Sequence, residues 1–301
     1  MSINPRLQTR LVWGLLLGAS ASIIWGGHAV VARMAVSGQG FHVADLLFCR
    51  YLPAALVLSP IVWRARAELA RLGAWRLLLL TLTGGAPNLL TFVGGLTFAP
   101  ASHGATIPPL TVSILAALLG WLWLSERPTP GRAAALAVMG AGIILIGWDG
   151  LTVGPGVWKG DLLLFMAGAS WAAFTILLRR WQVAAVPAAS AVTVISALFV
   201  LPVWLPWRAA QFAALPSGLI LWMLIAQGVL LGSLSMLLFA RSVEMLGATR
   251  TATLSVLVPV TGLTAAALVL GETIGPLKAI GATLAVGAML AAVLFTGRRI
   301  G

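Results

Sequence analysis

The dominant feature of this sequence is a strongly apolar run, about twenty residues long, that recurs along the whole chain. The first run covers most of residues 11–36, and others follow at short intervals up to residue 296. A helix of about twenty apolar residues crosses the ~30 Å of hydrocarbon in a bilayer. The runs are continuously apolar and do not alternate every second residue, which argues against a β-barrel. The sequence therefore predicts an all-α membrane protein with several spans.

Composition and charge support this class of protein. Only 9% of the residues are charged and 60% are hydrophobic, whereas a soluble domain carries about 25% charged residues. The net charge of +12 does not indicate nucleic-acid binding, because the basic residues sit at the ends of apolar runs and form no single patch. The one cysteine, Cys49, excludes an intramolecular disulfide and a multi-cysteine metal site. We expect no metal and no cofactor.

Ten spans with short loops are predicted, and residues 1–10 lack the pattern of a cleavable signal. The predicted spans 1 to 10 cover residues 11–36, 43–63, 75–98, 102–124, 132–148, 161–181, 188–205, 219–243, 248–270 and 276–296. The first five spans occupy residues 11–148 and the last five occupy 161–296, with a Gly/Pro-rich linker at 149–160. The remaining tails are residues 1–10 and 297–301.

The distribution of basic residues predicts the orientation of the chain. With ten spans, fourteen of the nineteen Lys and Arg residues fall on the side that holds both termini. The other side receives Arg33, Arg50, Lys159, Arg208 and Lys278. Loops rich in Lys and Arg stay in the cytoplasm. Both termini are therefore predicted to be cytoplasmic.

Landmark residues recur at one fixed spacing in the two halves. Each landmark of the first half has a counterpart 146 positions later, in the matching span: Trp25 and Trp171, Arg33 and Arg179, Glu126 and Glu272. Because five is an odd number, the second five-span unit must enter the membrane from the opposite face. Two inverted five-helix repeats around a central cavity are the arrangement of many secondary transporters, whose substrate site lies between the repeats.

These features resemble the drug/metabolite transporter superfamily, EamA type. The matching positions are the mid-span Trp of spans 1 and 6, Pro109 and Pro259 in spans 4 and 9, the Glu that closes each of those spans, and Arg50 in span 2. The resemblance covers essentially the whole chain and is closest to bacterial exporters of aromatic and other neutral amino acids. It implies a multi-pass protein of the inner membrane, functional as a monomer, with a cavity lined mainly by spans 1, 3, 4, 6, 8 and 9.

Polar residues within the spans are the candidate cavity lining. A transport path needs small or polar side chains at helical spacing on one face. The candidates are Asn88 in span 3, His103 and Thr106 in span 4, Gln227 in span 8 and Ser255 in span 9. Small-residue stripes also allow close helix packing without any pore. The amides of Asn88 and Gln227 need hydrogen-bond partners or water, which favours the interior of the bundle over the lipid for these two residues.

Trp25 and Trp171 are the strongest candidates for substrate contact. Tryptophan prefers the membrane interfaces, and the other eleven lie near span ends and are interpreted as anchors. A mid-span ring can stack on an aromatic substrate or hold a cationic amine, or it can simply pack at the interface of the repeats. His28, three residues after Trp25, can relay a proton or bind substrate, or donate to a backbone carbonyl.

Prolines inside spans 4 and 9 are candidate hinges. Pro108, Pro109 and Pro259 remove backbone donors and are expected to disrupt their helices. The freed carbonyls would face a cavity, although a static kink is the alternative. Glu126 and Glu272, which close their spans near the surface, are interpreted as structural residues. Arg50, only a turn or two inside span 2, is interpreted in the same way, with a side chain that extends outward to the interface.

Missing motifs narrow the function. There is no Gly-x-x-x-x-Gly-Lys-Ser/Thr loop, so ATP is not the expected direct energy source. No nucleophile and no acid–base pair is evident within the spans, so the sequence does not indicate an enzyme. The sequence therefore predicts export of small neutral metabolites, aromatic or other apolar amino acids foremost, by alternating access. Export of drugs or other metabolites, a passive channel and an intramembrane enzyme are the alternatives.

Overall fold

Long helices account for nearly all of the computed structural model, which describes residues 5–297, without the side chains of residues 5–8, 152, 153, 248, 249 and 294–297. The helices are α1 (Pro5–Gly38), α2 (Val43–Arg64), α3 (Arg66–Leu72), α4 (Ala74–Gly84), α5 (Ala86–Phe98), α6 (Ala101–Leu124), α7 (Pro130–Val153), α8 (Val157–Arg180), α9 (Ala185–Ala213), α10 (Ser217–Met223), a π-helix (Leu224–Leu234), α11 (Ser235–Leu246), α12 (Ala248–Leu254), α13 (Leu257–Leu270) and α14 (Pro276–Gly297).

Within the described residues, ten segments are long and apolar enough to cross a membrane. Span 3 consists of α4 and α5, span 8 of α10, the π-helix and α11, and span 9 of α12 and α13. The ten predicted spans are therefore confirmed. The predicted tails, 1–10 and 297–301, lie partly outside the described residues. Helix α7 continues to Val153 and α8 starts at Val157, so the non-helical part of the predicted 149–160 linker is short.

The packing of the helices repeats between the two halves. Span 1 packs against spans 8 and 9, and its counterpart, span 6, packs against spans 3 and 4. Span 2 pairs with span 7, and span 5 pairs with span 10. Each of these contacts joins one half to the other and has a partner contact with the halves exchanged. The fold is thus two inverted five-helix repeats that interleave around a central region bounded by spans 1, 3, 4, 6, 8 and 9.

Span 7 is longer than predicted, which corrects the interpretation of Trp204. The span was predicted at residues 188–205, but α9 runs to Ala213, so Trp204 lies two turns inside the helix. Its ring is 4% exposed and stacks on Phe48 at 3.8 Å, and its Nε1 donates to Asp45 Oδ1 at 2.9 Å. Trp204 is therefore a packing residue between spans 2 and 7 and not an interfacial anchor.

Span 3 is interrupted near its middle. Gly85 has φ −102° and ψ −144° and separates α4 from α5, at the sequence Gly84-Gly85-Ala86-Pro87. The main-chain groups freed by the break find side-chain partners on the second repeat. Ser196 Oγ accepts from the Ala86 N–H at 3.1 Å, and Ser170 Oγ donates to the Thr83 carbonyl at 2.8 Å. Irregular backbone at this depth is tolerated only where such partners or a water-filled cavity exist.

Close helix crossings depend on glycine at defined positions. A Cβ at Gly262 of span 9 would meet the Cβ of Ala105 in span 4 and lie 2.9 Å from the Gly26 carbonyl of span 1. Three spans of the central region therefore meet at one point where only a hydrogen atom fits. In a bilayer such contacts are a main source of helix association.

We expect Gly262→Val to destabilise the fold by about 3 kcal/mol, since overpacking of a tight contact costs 1–3 kcal/mol or more. The measurement is the thermal unfolding midpoint of the purified protein in detergent. Gly140→Val is the matched control, because a Cβ at Gly140 in span 5 meets nothing within 4 Å. Equal unfolding midpoints of the two variants would contradict the crossing described here.

Candidate transport cavity

Trp25 lies on the inward face of span 1. Residues seven apart on a helix point within about 20° of each other, and residues nine apart point in opposite directions. Ala32, seven positions after Trp25, is fully buried, whereas Leu16, nine positions before it, is 52% exposed. The Trp25 ring is half-buried and packs against Phe239 of span 8 with 5.0 Å between ring centroids. Its side chain therefore points away from the lipid side of the helix.

Trp171 occupies the equivalent place in span 6, but its ring is more open. Leu164 and Leu178, seven positions on either side, are 0% and 8% exposed, and Leu162, nine positions before it, is 52% exposed. Trp171 itself is 40% exposed, although it shares its face with these two buried leucines. Trp171 is thus an exposed ring on an otherwise buried stripe, and its position in a cavity stays a prediction. Trp171 lies at the level of the span 3 break, because the neighbouring Ser170 bonds to Thr83.

Asn88, just after the span 3 break, lies between spans 3 and 6. Its Nδ2 donates to the carbonyl of Ala167 at 2.7 Å. This bond joins the two repeats one helical turn from Trp171. One donor of the amide is therefore already used by the protein, and a substrate contact of Asn88 stays a prediction.

His103 and Thr106, two of the candidates for the cavity lining, lie in an enclosed part of span 4. Every residue from Ala101 to Pro108 is buried. His103 is fully buried with its Nδ1 2.7 Å from Asp161 Oδ1 of span 6. The Thr106 hydroxyl donates to the Ser102 carbonyl of its own helix at 2.8 Å. Neighbouring spans therefore enclose the first two turns of span 4 in this structure, and substrate binding by His103 and Thr106 stays a prediction.

The candidate hinge prolines behave differently in the two repeats. Span 9 is interrupted between α12 and α13 at Ser255 and Val256, four and three residues before Pro259. A proline ring clashes with the carbonyl four residues earlier, which is that of Ser255. The half-buried Ser255 thus sits at the break itself.

Span 4, in contrast, runs without a break from Ala101 to Leu124 through Pro108 and Pro109. The predicted disruption does not interrupt this helix. Gly168 of span 6 packs tightly here, since a Cβ on it would lie 2.8 Å from the Pro108 carbonyl. Span 6 therefore packs closely against the turn of span 4 that contains the two prolines.

Gln227 and His28 are polar side chains left without partners. Gln227 is 0% exposed, and neither its Nε2 nor its Oε1 has a hydrogen-bond partner among the described residues. It lies in the π-helix of span 8, a rare form that often marks a functional site. The half-buried His28 ring stacks on Phe92 of span 3 at 4.5 Å, and its Nε2 is also without a partner in the described chain.

The landmark Arg and Glu residues make unequal contacts at the two ends of the molecule. Arg179 forms an ion pair with Glu126, both about half exposed. The equivalent residues Arg33 and Glu272 bond to main-chain groups instead. Arg33 donates to the Leu96 carbonyl, and Glu272 accepts from the amides of Ala101 and Ser102 at 2.6 and 3.0 Å. These bonds favour a structural role for Glu126 and Glu272, which stays a prediction.

Three features of this region were missed in the sequence, and one of them left a visible signal. The span 3 break is marked by Gly84-Gly85-Ala86-Pro87, a combination typical of interrupted helices. The π-helix is not marked, although Gly228 and Gly232 within it pack directly onto span 2. The Asp161 partner of His103 lies 58 residues away and has no local signal.

Ten spans, two inverted repeats, interrupted helices and an inward Trp on the first helix of each repeat define a polytopic membrane protein of the secondary-transporter class. A family model described as the EamA-like transporter family matches residues 12–148 and again residues 158–294. The chain belongs to this family and is a membrane transporter of the drug/metabolite superfamily. The two matches are offset by 146 residues, the same spacing as the sequence landmarks.

Comparison with solved structures agrees on the fold. A structure titled "Crystal structure of protein" has a TM-score of 0.62 and 18% identity, and the match covers 93% of this chain and 97% of the other. At this identity the likeness concerns the fold alone. No curated protein matches the chain.

Proposed function

We propose that this protein exports small neutral metabolites, foremost aromatic or other apolar amino acids, by alternating access. The observation that carries the proposal is the pair of equivalent inward tryptophans, Trp25 and Trp171, with Trp171 40% exposed on an otherwise buried stripe. An open indole ring inside the bundle offers a flat apolar surface and one N–H donor. A zwitterion with an aromatic side chain matches that surface.

The interrupted spans supply the moving parts in this proposal. Spans 3, 8 and 9 each contain a break or a π-helix at membrane depth, and all three bound the central region. Segments of this kind form substrate sites at the interface of inverted repeats, and alternating access is a rocking of one repeat against the other. Substrate held between the two tryptophans would be exposed to one side at a time.

The proposed setting is a bacterial inner membrane with both termini in the cytoplasm and a functional monomer. The orientation is supported by the charge bias, since only five of nineteen Lys and Arg residues fall on the side opposite the termini. With this orientation, Arg179 and Glu126 lie at the cytoplasmic end and Arg33 and Glu272 at the outer end.

The test is transport in proteoliposomes. Purified protein is reconstituted, loaded with unlabelled phenylalanine, leucine or alanine, and exposed to the same labelled amino acid outside. We expect counterflow, a transient accumulation of label above the equilibrium level, which a passive channel does not produce. Liposomes without protein are the control. Absence of counterflow for every neutral amino acid, with a drug or other metabolite giving it, would reject the substrate class and favour the alternative exporter.

A further inference from the structure

Arg50 is a cation inside the membrane without an anionic partner. It lies two turns into α2 and is half-buried. Its Nη1 donates only weakly to the main-chain carbonyl of Gln227, at 3.4 Å. None of the ion pairs among the described residues includes Arg50. Buried charges are normally paired, and an intramembrane ionisable residue without a partner indicates a functional site.

The nearest acidic residue on the same helix is unavailable to Arg50. Asp45 already accepts from Arg208 at 3.0 Å and from Trp204 at 2.9 Å. The charge of Arg50 is therefore not neutralised by its own helix. Arg208, in contrast, forms an ion pair with Asp45 nearer the outer end of the bundle.

Two further polar groups without partners lie around Arg50. Gln227 is the residue whose carbonyl Arg50 contacts, and its side-chain amide has both a free donor and a free acceptor within the described chain. His28 lies within electrostatic range of the Arg50 guanidinium, and its Nε2 is free in the same sense. Spans 1, 2 and 8 thus contribute one charge and two side chains with unpaired polar atoms to this part of the bundle. Together these groups offer one positive charge on Arg50, further donors for an anion, and one acceptor, the Gln227 Oε1, for an ammonium group.

We propose that Arg50, with the side chains of Gln227 and His28, forms the subsite that binds the carboxylate of the transported molecule. This deepens the proposed function and rests on it for the identity of the rest of the substrate. A guanidinium pairs well with a carboxylate, and the Gln227 Nε2 adds a donor. The Gln227 Oε1 can accept from the adjacent ammonium group of an amino acid.

The position of this carboxylate subsite relative to Trp25 fits one small molecule. His28 follows Trp25 by three residues, so the two side chains point about 60° apart and about 4.5 Å apart along the helix axis. A carboxylate held between Arg50 and His28 would therefore leave an aromatic side chain within reach of the Trp25 ring. A phosphate monoester fits less well, because its second negative charge calls for more than one buried cation.

Ligand-induced thermal stabilisation of the purified protein in detergent tests this proposal without depending on transport. The probes share a phenyl ring: L-phenylalanine, 3-phenylpropionate without the amine, phenethylamine without the carboxylate, and phenyl phosphate. We expect the wild-type protein to bind both carboxylate probes more tightly than phenethylamine. In Arg50→Gln the two carboxylate probes should bind about tenfold or more weakly, with phenethylamine unchanged. Arg50→Lys should recover part of the loss.

Arg33→Gln is the matched control, because Arg33 is also a half-buried arginine that donates to a main-chain carbonyl. It should keep the preference for carboxylate probes. If Arg50→Gln does not yield monodisperse protein, Gln227→Leu gives the second test. The Arg50 bond goes to the main chain of residue 227, so this variant keeps the bond and removes only the amide. Carboxylate binding should then fall about tenfold.

The outcomes separate this inference from the proposed function. Counterflow of phenylalanine together with an unchanged carboxylate preference in Arg50→Gln overturns the subsite and leaves the function standing. Arg50-dependent binding of 3-phenylpropionate without transport of any neutral amino acid overturns the proposed function and leaves the carboxylate subsite standing. Tighter binding of phenyl phosphate than of either carboxylate, or no binding of a carboxylate probe to the wild-type protein, also overturns the subsite.

Discussion

Replacement of Trp171 by alanine is expected to lower kcat/KM for phenylalanine counterflow about thirtyfold. Removing a central Trp from a binding surface costs about 2 kcal/mol or more, which corresponds to about thirtyfold. The reason is geometric: Trp171 is 40% exposed between two buried positions of the same helical stripe, as expected of a ring that faces an opening between helices. Trp171→Phe keeps an aromatic face and should lose much less.

Trp158→Ala is the matched control for this prediction. Trp158 lies on the same helix and is 53% exposed, but it is near the N-terminal end of the helix and about 140° around the axis from Trp171. Loss of the Trp158 ring should leave substrate transport unaffected, since Trp158 shares the exposed face of the helix with Leu162. If both alanine variants transport phenylalanine at the wild-type rate with equal protein in the liposomes, Trp171 is a packing residue.

Replacement of Asp45 by alanine is expected to destabilise the protein by about 3 kcal/mol. The carboxylate is 0% exposed and accepts from Trp204 Nε1 at 2.9 Å, Arg208 Nη2 at 3.0 Å and the His42 amide at 2.8 Å. Breaking a buried pair by removing one partner costs 3–5 kcal/mol. The lower end applies here, since the Arg208 side chain is 17% exposed and regains some hydration.

The control for Asp45 is Glu244→Ala, which removes an exposed ion pair. Arg241 and Glu244 are 71% and 61% exposed with 2.6 Å between Nη1 and Oε2. Pairs of this kind contribute about 0–1 kcal/mol. Denaturant or thermal unfolding in detergent should therefore separate the two variants clearly. A loss for Asp45→Ala no larger than that for Glu244→Ala would mean that spans 2 and 7 are held by apolar packing alone.

The architecture was readable from the sequence because the bilayer imposes simple rules. A span requires about twenty apolar residues, and the cytoplasmic side collects Lys and Arg. The span count is confirmed, and the family match repeats after 146 residues as the Trp25–Trp171 spacing predicts. The orientation and the substrate remain predictions.

The candidate site was only partly readable. Trp25 and Trp171 were found because tryptophan at mid-span departs from its usual interfacial position, and the break near Pro259 follows from the chemistry of proline. His103 and Thr106, in contrast, were expected to line a path and are buried. Pro108 and Pro109 lie in an unbroken helix, although the same chemistry predicted a disruption there.

The sequence by itself determined the class of protein, the ten spans, the internal repeat and the two mid-span tryptophans. Only the tertiary structure decided which face of each span is inward, that Arg50 lies beside Gln227 with no ion pair among the described residues, and that Asp161 pairs with His103. The physical reason is that lipid and protein interior are equally apolar in a membrane protein. With 60% hydrophobic residues, the periodicity that marks the buried face of a soluble helix is absent, and only contacts between distant helices supply that information.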